Sequence, residues 1–154
     1  MSFKAGSEIY FSKYFDGNFS VSTSKKNIKK FTEYGIHSLG CDRLNWHGSN
    51  NSLFNYKSSL YIEDEKTHNW YSCLANRYYE ALSYNIPSFF DSSCISTIEK
   101  SGYPIDKFFI VDSREELREK LKMLDDYQYD LNKEKELAKK EKKETLDVIK
   151  EIVE

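Results

Sequence analysis

Two charged side chains that could bind a nucleotide stand three residues apart in the segment NRYYEALSYNIPSFFD, residues 76 to 91. They are Arg77 and Glu80, and residues at this spacing are neighbours on the surface of a helix. A carboxylate can accept hydrogen bonds from both hydroxyl groups of a ribose, and a guanidinium can bind a diphosphate through two parallel hydrogen bonds. The same spacing also fits a surface ion pair, which contributes roughly a few tenths of a kcal/mol. Spacing alone favours the ion pair.

The pair lies on a helix that the apolar pattern predicts over residues 70 to 84. Apolar residues recur there at helical spacing: Tyr71, Leu74, Ala75, Tyr78, Ala81 and Leu82. Thr67 or Asn69 can cap the start of this helix. With Tyr78 facing the sheet, Arg77 is expected at the margin of the buried stripe and Glu80 farther round on the same side.

Strands and helices alternate from residue 59 onward. Strands are predicted at 59–64, 86–90 and 107–111, and helices at 70–84, 93–100 and 113–124, the last opened by the capping box SREE. This order is typical of a parallel sheet covered by helices, so the predicted fold class is α/β, with a single Rossmann-like, doubly wound sheet. Ligands in such sheets bind outside the carboxyl ends of the strands, which directs attention to the loops after Asp64 and Asp91.

The residues before 59 predict a less regular set of elements. Short strands are expected at 8–11 and 19–22 around the turn DGN, a helix at 25–34, a strand at 36–39 and a short helix at 50–58.

The C-terminal residues differ in composition from the rest of the chain. The stretch NKEKELAKKEKKE carries ten charges in thirteen residues and predicts one long charged helix over 126–154. We therefore divide the chain into an α/β domain at 1–124 and a C-terminal helix at 125–154. The helix ends in Leu146, Ile149, Ile152 and Val153, which could dock on the domain or pair with a partner protein or a second copy of the chain.

Composition excludes some classes of protein. The formal net charge of −2 gives no basic footprint for phosphate-backbone binding, so a nucleic-acid partner is unsupported. No apolar run approaches the ~18 residues of a membrane span, and the N-terminal residues lack a signal-peptide pattern. Three widely spaced cysteines argue against a disulfide framework. The expected location is the cytoplasm.

The sequence does not predict a metal site. His37, Cys41 and His47 could supply zinc ligands, with His68 or Cys73 as a fourth. Structural zinc sites usually contain closely paired ligands such as CxxC, and this sequence has no such pair. These side chains are expected to pack or to lie at the surface.

The segment around Arg77 and Glu80 resembles the nucleotide-sugar-binding, C-terminal donor domain of GT-B glycosyltransferases. In that family a helix reading E-A-(small)-x-x-x-(I/V)-P leads into a strand, and EALSYNIPSFFD reproduces the pattern from Glu80 through Pro87. The preceding NRYY supplies the R-x-x-E of phage DNA glucosyltransferase-like members. The resemblance extends more loosely over residues 19 to 124.

This resemblance implies that Glu80 binds the ribose of a nucleotide sugar such as a UDP-sugar and that Arg77 binds its phosphates. It also implies that Glu63, Asp64, Thr67 and His68 lie beside the base or the sugar. No cofactor is implied.

Three departures from the family argue against transferase activity by this chain alone. The second glutamate of the commonest retaining enzymes, eight residues before the ribose-binding one, is replaced by Ser72. The first strand is not followed by a Gly- and Arg-rich phosphate loop, and Lys13 is the cation of that region. The 154 residues have no room for an acceptor domain.

Three functions remain open at this point. The chain is expected to be a non-catalytic module derived from a donor domain, which binds a nucleotide or nucleotide sugar or has been recruited to bind a partner protein, for example as a phage decoy or inhibitor. The alternative is the donor-binding subunit of a split glycosyltransferase that uses UDP-glucose or a similar donor. A remnant domain without independent activity is the third.

Overall fold

A three-stranded parallel sheet forms the centre of the chain. The computed structural model describes residues 13–14, 21–22, 29, 33, 39–40, 56–62 and 73–153. The strands are β1 (Val21–Ser22), β2 (Leu39–Gly40), β3 (Ser59–Tyr61), β4 (Ser88–Asp91) and β5 (Ile110–Val111). β3, β4 and β5 pair in that order, all parallel, and β1 pairs with β2, also in parallel. The predicted parallel sheet and α/β class are confirmed.

Four helices have bounds within the described residues. They are α1 (Asn76–Ser83), α2 (Ile95–Ser101), α3 (Arg114–Met123) and α4 (Asn132–Val153). α1 connects β3 to β4, α2 connects β4 to β5, and α3 follows β5. No helix in this part of the chain combines the length and the apolar composition needed to cross a bilayer.

β4 is buried along its whole length, and its side chains enter two apolar cores. Successive strand residues point to opposite faces of a sheet, so Phe90 enters one core and Phe89 the other. The first core contains Tyr61, Leu74, Tyr78, Leu82, Phe90, Cys94, Ile98 and Tyr103. The second contains Tyr14, Ile62, Phe89, Phe109, Val111, Leu117 and Leu124. Helices α1, α2 and α4 thus cover one face and α3 covers the other.

The start of α1 differs from its prediction. The helix begins at Asn76 rather than at residue 70, and Ala75 precedes it with an extended backbone and no side-chain cap. The backbone N–H of Ala75 instead donates to the hydroxyl of Tyr61 at 2.6 Å. This tertiary contact holds the chain extended before the helix, and the proposed caps Thr67 and Asn69 lie outside the described residues.

The end of α1 follows from one residue in the left-handed region. Asn85 has φ of 59°, and the N–H groups of Asn85 and Ile86 donate to the carbonyls of Leu82 and Ala81 at 3.2 and 3.0 Å. This pair of bonds is a Schellman motif, which ends a helix and turns the chain sharply. Pro87 follows and prevents the helix from continuing. The turn delivers the chain directly into β4.

The second half of the sheet agrees with its prediction at the helices and departs from it at a strand. Residues 107–109 of the predicted strand form a tight helical turn, capped by Asp106, whose carboxylate accepts the N–H of Phe108 at 2.8 Å. The helix after β4 ends at Gly102, which has φ of 71°. The Ser113 hydroxyl caps α3 by accepting the N–H of Glu116 at 3.2 Å.

Predictions for the N-terminal part can be checked only in places. Lys29 and Glu33 are helical, in agreement with a helix at 25–34, and β1 and β2 fall within or beside the strands predicted at 19–22 and 36–39. Residues 56–58 are not helical, so the C-terminal end of the helix predicted at 50–58 is wrong. The strand predicted at 8–11 lies outside the described residues.

α4 begins at Asn132, six residues later than the start predicted at 126. Its first three turns pack on the first core through Leu131, just before the helix, and through Leu137 and Ala138. Glu134 is buried there and accepts a hydrogen bond from the hydroxyl of Tyr78. From Lys142 to Ile152 every residue is exposed. The helix therefore consists of a docked half and a projecting half.

Candidate functional site

Arg77 lies at the carboxyl edge of the sheet. Its Nη2 donates to the backbone carbonyl of Ile62, the residue after β3, at 2.9 Å. Its guanidinium carbon lies 4.4 Å from the ring centroid of Tyr61, a cation–π contact that also restrains the side chain. The half-buried Arg77 thus occupies the margin of the sheet-facing stripe, as the sequence predicted.

Glu80 lies one turn farther along α1 and is exposed. The apolar stripe of the helix is buried at Leu74, Tyr78, Ala81 and Leu82, while Ala75 is half-buried. Arg77 therefore lies at the margin of the buried stripe and Glu80 lies farther round toward solvent, and the structure holds the two side chains differently. The arginine is fixed by contacts with β3, whereas the carboxylate of Glu80 faces solvent.

The other predicted site residues cannot be placed. Glu63, Asp64, Thr67 and His68 lie outside the described residues, as do three of the candidate zinc ligands, His37, Cys41 and His47. Cys73 is described and exposed. Within the described ranges, no group of three or more histidine, cysteine, aspartate or glutamate side chains is arranged to hold a metal ion.

A second polar cluster occupies the carboxyl ends of β4 and β5. Asp91 ends β4 and is 3% exposed, and one of its carboxylate oxygens accepts hydrogen bonds from the Tyr14 hydroxyl and, at 3.0 Å, from Lys13 Nζ. The other oxygen accepts the N–H of Ser93 at 3.0 Å. Lys13 Nζ also contacts Asp112, which follows β5, at 3.2 Å. We call Lys13, Tyr14, Asp91 and Asp112 the edge cluster.

The protonation states in the edge cluster follow from burial and hydrogen bonding. Burial works against the charged form of Asp91, but hydrogen bonds from Ser93, Tyr14 and Lys13 outweigh it and lower the pKa of this carboxyl. Burial also opposes the charge on Lys13, yet hydrogen bonds to Asp91 and Asp112 raise the pKa of the ammonium. Burial and the Asp91 carboxylate raise the pKa of Tyr14. The cluster therefore holds two carboxylates and one ammonium at neutral pH.

The charge of the edge cluster decides what it can bind. One ammonium between two carboxylates leaves a net negative charge, which disfavours a phosphate group at this position. The contacts instead join the segment containing Lys13 and Tyr14 to the ends of two strands. Tyr14 is 1% exposed and packs in the second core, so the cluster is best explained as a structural brace.

Part of the edge cluster was predictable from the sequence. The loop after Asp91 and the cation Lys13 both stand out there, but nothing in the sequence connects the two. They are 78 positions apart in the chain, and no local pattern relates them. The signal that was available is that Asp91 and Asp112 each stand at the carboxyl end of a predicted strand.

A pocket of about 300 Å³ lies between α1, the end of α2 and α4. It is lined by Cys73, Tyr79, Ser101, Tyr103, Glu141, Glu144 and Thr145. The Tyr103 hydroxyl donates to the Glu141 carboxylate at 2.7 Å, and burial together with this bond raises the pKa of the tyrosine. Carboxylates and phenol rings would attract a cation rather than a phosphate. This pocket is therefore a poor site for a nucleotide.

Comparison with known proteins gives no relative: no family model, no curated protein and no solved structure matches this chain. The function must therefore be argued from the geometry of the chain itself.

Proposed function

We propose that this chain is a non-catalytic module that binds a nucleotide or nucleotide sugar, with the Rossmann-like architecture of a glycosyltransferase donor domain. The observation that carries the proposal is the position of Arg77, whose guanidinium is held 2.9 Å from the Ile62 carbonyl, just beyond the carboxyl end of β3. Open parallel sheets bind their ligands at this edge. Arginine recognises phosphate through its planar set of N–H donors.

The start of α1 supports an anion beside Arg77. Arg77 belongs to the first turn of the eight-residue helix α1. The N-terminus of a helix carries a partial positive charge and unpaired backbone donors, both of which favour phosphate. A diphosphate bound here would meet the guanidinium and the helix terminus together.

Glu80 supplies the second contact to the proposed nucleotide ligand. It lies three residues after Arg77 on α1 and its carboxylate is exposed to solvent, so the hydroxyl groups of a ribose can reach it. The proposed ligand thus extends from its phosphates at Arg77 to its ribose at Glu80. Glycosyl transfer would also need a group that activates an acceptor hydroxyl. Arg77 and Glu80 are both assigned to the donor, so neither supplies that group.

Isothermal titration calorimetry of the full chain with UDP, UDP-glucose, ADP and GDP tests the proposal. We expect at least one of these ligands to bind, and Glu80→Ala to weaken its binding by roughly 0.5 to 1.5 kcal/mol, the usual net contribution of a hydrogen bond. Arg77→Lys should weaken the binding of the diphosphates, because an ammonium cannot make the two parallel hydrogen bonds of a guanidinium. Glu99→Ala, which changes an exposed glutamate on α2, is the matched control.

The outcomes separate the candidate functions. Failure of all four ligands to bind, or equal affinities for Glu80→Ala and Glu99→Ala, would contradict the proposal. If UDP-glucose binds in a Glu80-dependent manner, assays for UDP release with added acceptor-domain proteins would distinguish a split glycosyltransferase from a simple binding module.

A further inference from the structure

The pocket between α1, the end of α2 and α4 presents several hydrogen-bond acceptors to a ligand. Its described lining includes two glutamates, Glu141 and Glu144, and no lysine or arginine. The Thr145 hydroxyl donates to the backbone carbonyl of Glu141 at 2.8 Å. The Ser101 hydroxyl likewise donates to the carbonyl of Ile98 at 2.7 Å. Because both hydroxyl protons are used within their own helices, the two oxygens can only accept from a ligand. The polar lining therefore suits a ligand that donates hydrogen bonds.

One carboxylate of the pocket is held in place by a buried side chain. Tyr103 is 4% exposed, and its hydroxyl donates to one oxygen of the half-buried Glu141 at 2.7 Å. Among the described residues, no lysine or arginine forms an ion pair with Glu141. A carboxylate that is already oriented loses less conformational freedom on binding than a mobile surface glutamate does. Glu141 is thus preorganised to receive a positive charge.

Phenol rings form the wall of the pocket beside this carboxylate. The rings of Tyr79 and Tyr103 stand at 75° to each other, with their centroids 5.7 Å apart, and Tyr103 packs in the first core. Aromatic rings attract cations and also supply apolar surface on which a hydrocarbon chain can pack. A ligand that combines positive charge with a short alkyl chain would therefore match both the rings and the carboxylate.

Glu144 adds a second negative charge to the pocket, three residues after Glu141 on α4. Residues at this spacing have Cβ atoms about 5 to 6 Å apart, so two positive groups on one short ligand can reach both carboxylates. Lys140 also lies near Glu144, but the pair is exposed and its charged atoms are 3.8 Å apart, so it contributes little. The volume of about 300 Å³ is at the lower end of the range for small-molecule sites.

We propose that this pocket binds an aliphatic diamine through its two ammonium groups. One ammonium donates hydrogen bonds to Glu141 beside the ring of Tyr79, the other pairs with Glu144, and the alkyl chain between them packs on the phenol rings. An organic cation is favoured over a metal ion because the described residues form no group of three metal-ligating side chains. The site is separate from the proposed nucleotide site at Arg77, so either can be correct without the other.

Titration of the isotope-labelled full chain with putrescine, followed by NMR, tests the proposal. The backbone amide signals of Tyr79, Tyr103 and Thr145 should shift and reach saturation. Butanediol, which has the same carbon chain without charge, should cause no shift, and butylamine, which has a single ammonium, should bind several-fold more weakly. Added sodium chloride should weaken the binding of putrescine because salt screens the charges of partly exposed groups.

Variants of the two glutamates test which groups hold the ligand. Glu141→Gln should raise the dissociation constant of putrescine about tenfold because it removes a charge-assisted hydrogen bond, while its amide oxygen can still accept from Tyr103. Glu144→Gln, at an exposed position, should raise it about two- to fivefold. Glu136→Gln removes the same charge from an exposed position that points away from the pocket, and this matched control should leave the dissociation constant unchanged.

An absence of saturable shifts, or equal dissociation constants for Glu141→Gln and Glu136→Gln, would overturn the proposal. So would a blocked lysine that binds as tightly as putrescine, since the single ammonium of a protein side chain would then account for the pocket. Displacement of putrescine by an equal concentration of magnesium chloride would show that the pocket attracts positive charge without recognising an amine. Melting temperatures of the variants should stay close to that of wild type, because neither glutamate belongs to the packed cores.

Discussion

The hydroxyl of Tyr78 donates a hydrogen bond to the buried carboxylate of Glu134, and this contact joins α1 to α4 across 56 positions of the chain. Glu134 is 7% exposed and Tyr78 is 2% exposed. A carboxylate in such surroundings is costly unless it is hydrogen-bonded or neutral. Burial accordingly raises the pKa of Glu134, although the bond from Tyr78 works in the opposite direction.

The raised pKa of Glu134 predicts how stability changes with pH. The folded state holds this proton more tightly than the unfolded state, so the contribution is fully present below the ordinary glutamate pKa of 4.5 and is lost as pH rises through the folded value. Glu134→Gln imitates the protonated form. Urea unfolding at several pH values should show the free energy of unfolding of this variant rising relative to wild type between acidic and neutral pH.

A matched substitution distinguishes this effect from a general change in charge. Glu136 is exposed on the same helix, and Glu136→Gln should follow the wild-type pH profile. A Glu134→Gln profile that runs parallel to wild type would show that the buried carboxyl has no raised pKa.

The edge cluster predicts the opposite pH dependence for Asp91. Its lowered pKa means that its stabilising contribution is present above the ordinary aspartate pKa of 3.8 and is lost as pH falls through the lower folded value. Asp91→Asn should reduce the free energy of unfolding at neutral pH by about 1.5 to 3 kcal/mol, the usual range for hydrogen bonds to a charged group. The difference from wild type should shrink in acid, as measured by urea unfolding. Asp126→Asn, at an exposed position, is the control and should be nearly neutral.

Truncation of α4 should have effects that depend on the position of the cut. The first half of the helix packs on the first core, whereas its second half is exposed. A chain ending at residue 130 loses Leu131, Leu137 and the Glu134 bond, and should be destabilised by about 3 kcal/mol or more. A chain ending at residue 145 retains them. Thermal unfolding of the longer chain should be cooperative, with a melting temperature close to that of wild type, and the melting temperature of the shorter chain should be much lower. Equal melting temperatures for the two truncated chains would show that the docked half contributes nothing to stability.

Asn85 predicts a small and specific effect at the end of α1. Its φ of 59° is costly for a residue with an ordinary side chain, and its side-chain oxygen accepts a hydrogen bond from Lys135 of α4. Asn85→Ala should cost about 1 to 2 kcal/mol in the free energy of unfolding. Asn85→Gly relieves the backbone while losing the same side-chain bond, so it should cost less. Chemical denaturation of both variants measures the difference, and a glycine variant no more stable than the alanine variant would contradict this account.

Features that depend on neighbouring residues were predictable from the sequence. The end of α1 at Asn85 and Pro87, the cap of α3 at Ser113 and the alternation of strands with helices all arise from residues close together in the chain. Backbone conformation and local hydrogen bonds decide such features. Arg77 could be assigned to the margin of the buried stripe for the same reason, since helical periodicity relates it to Tyr78.

Only the tertiary structure decided which distant groups meet. The later start of α1 depends on the hydroxyl of Tyr61, the edge cluster depends on Lys13 and Tyr14 reaching Asp91, and the docking of α4 depends on Tyr78 reaching Glu134. A polar side chain can form its hydrogen bonds either with water or with a buried partner. The neighbouring residues in the sequence therefore do not reveal which of the two it will bond to in the folded chain. The amino-acid sequence by itself therefore determined the elements and their order, and packing decided where they begin and which polar groups they bring together.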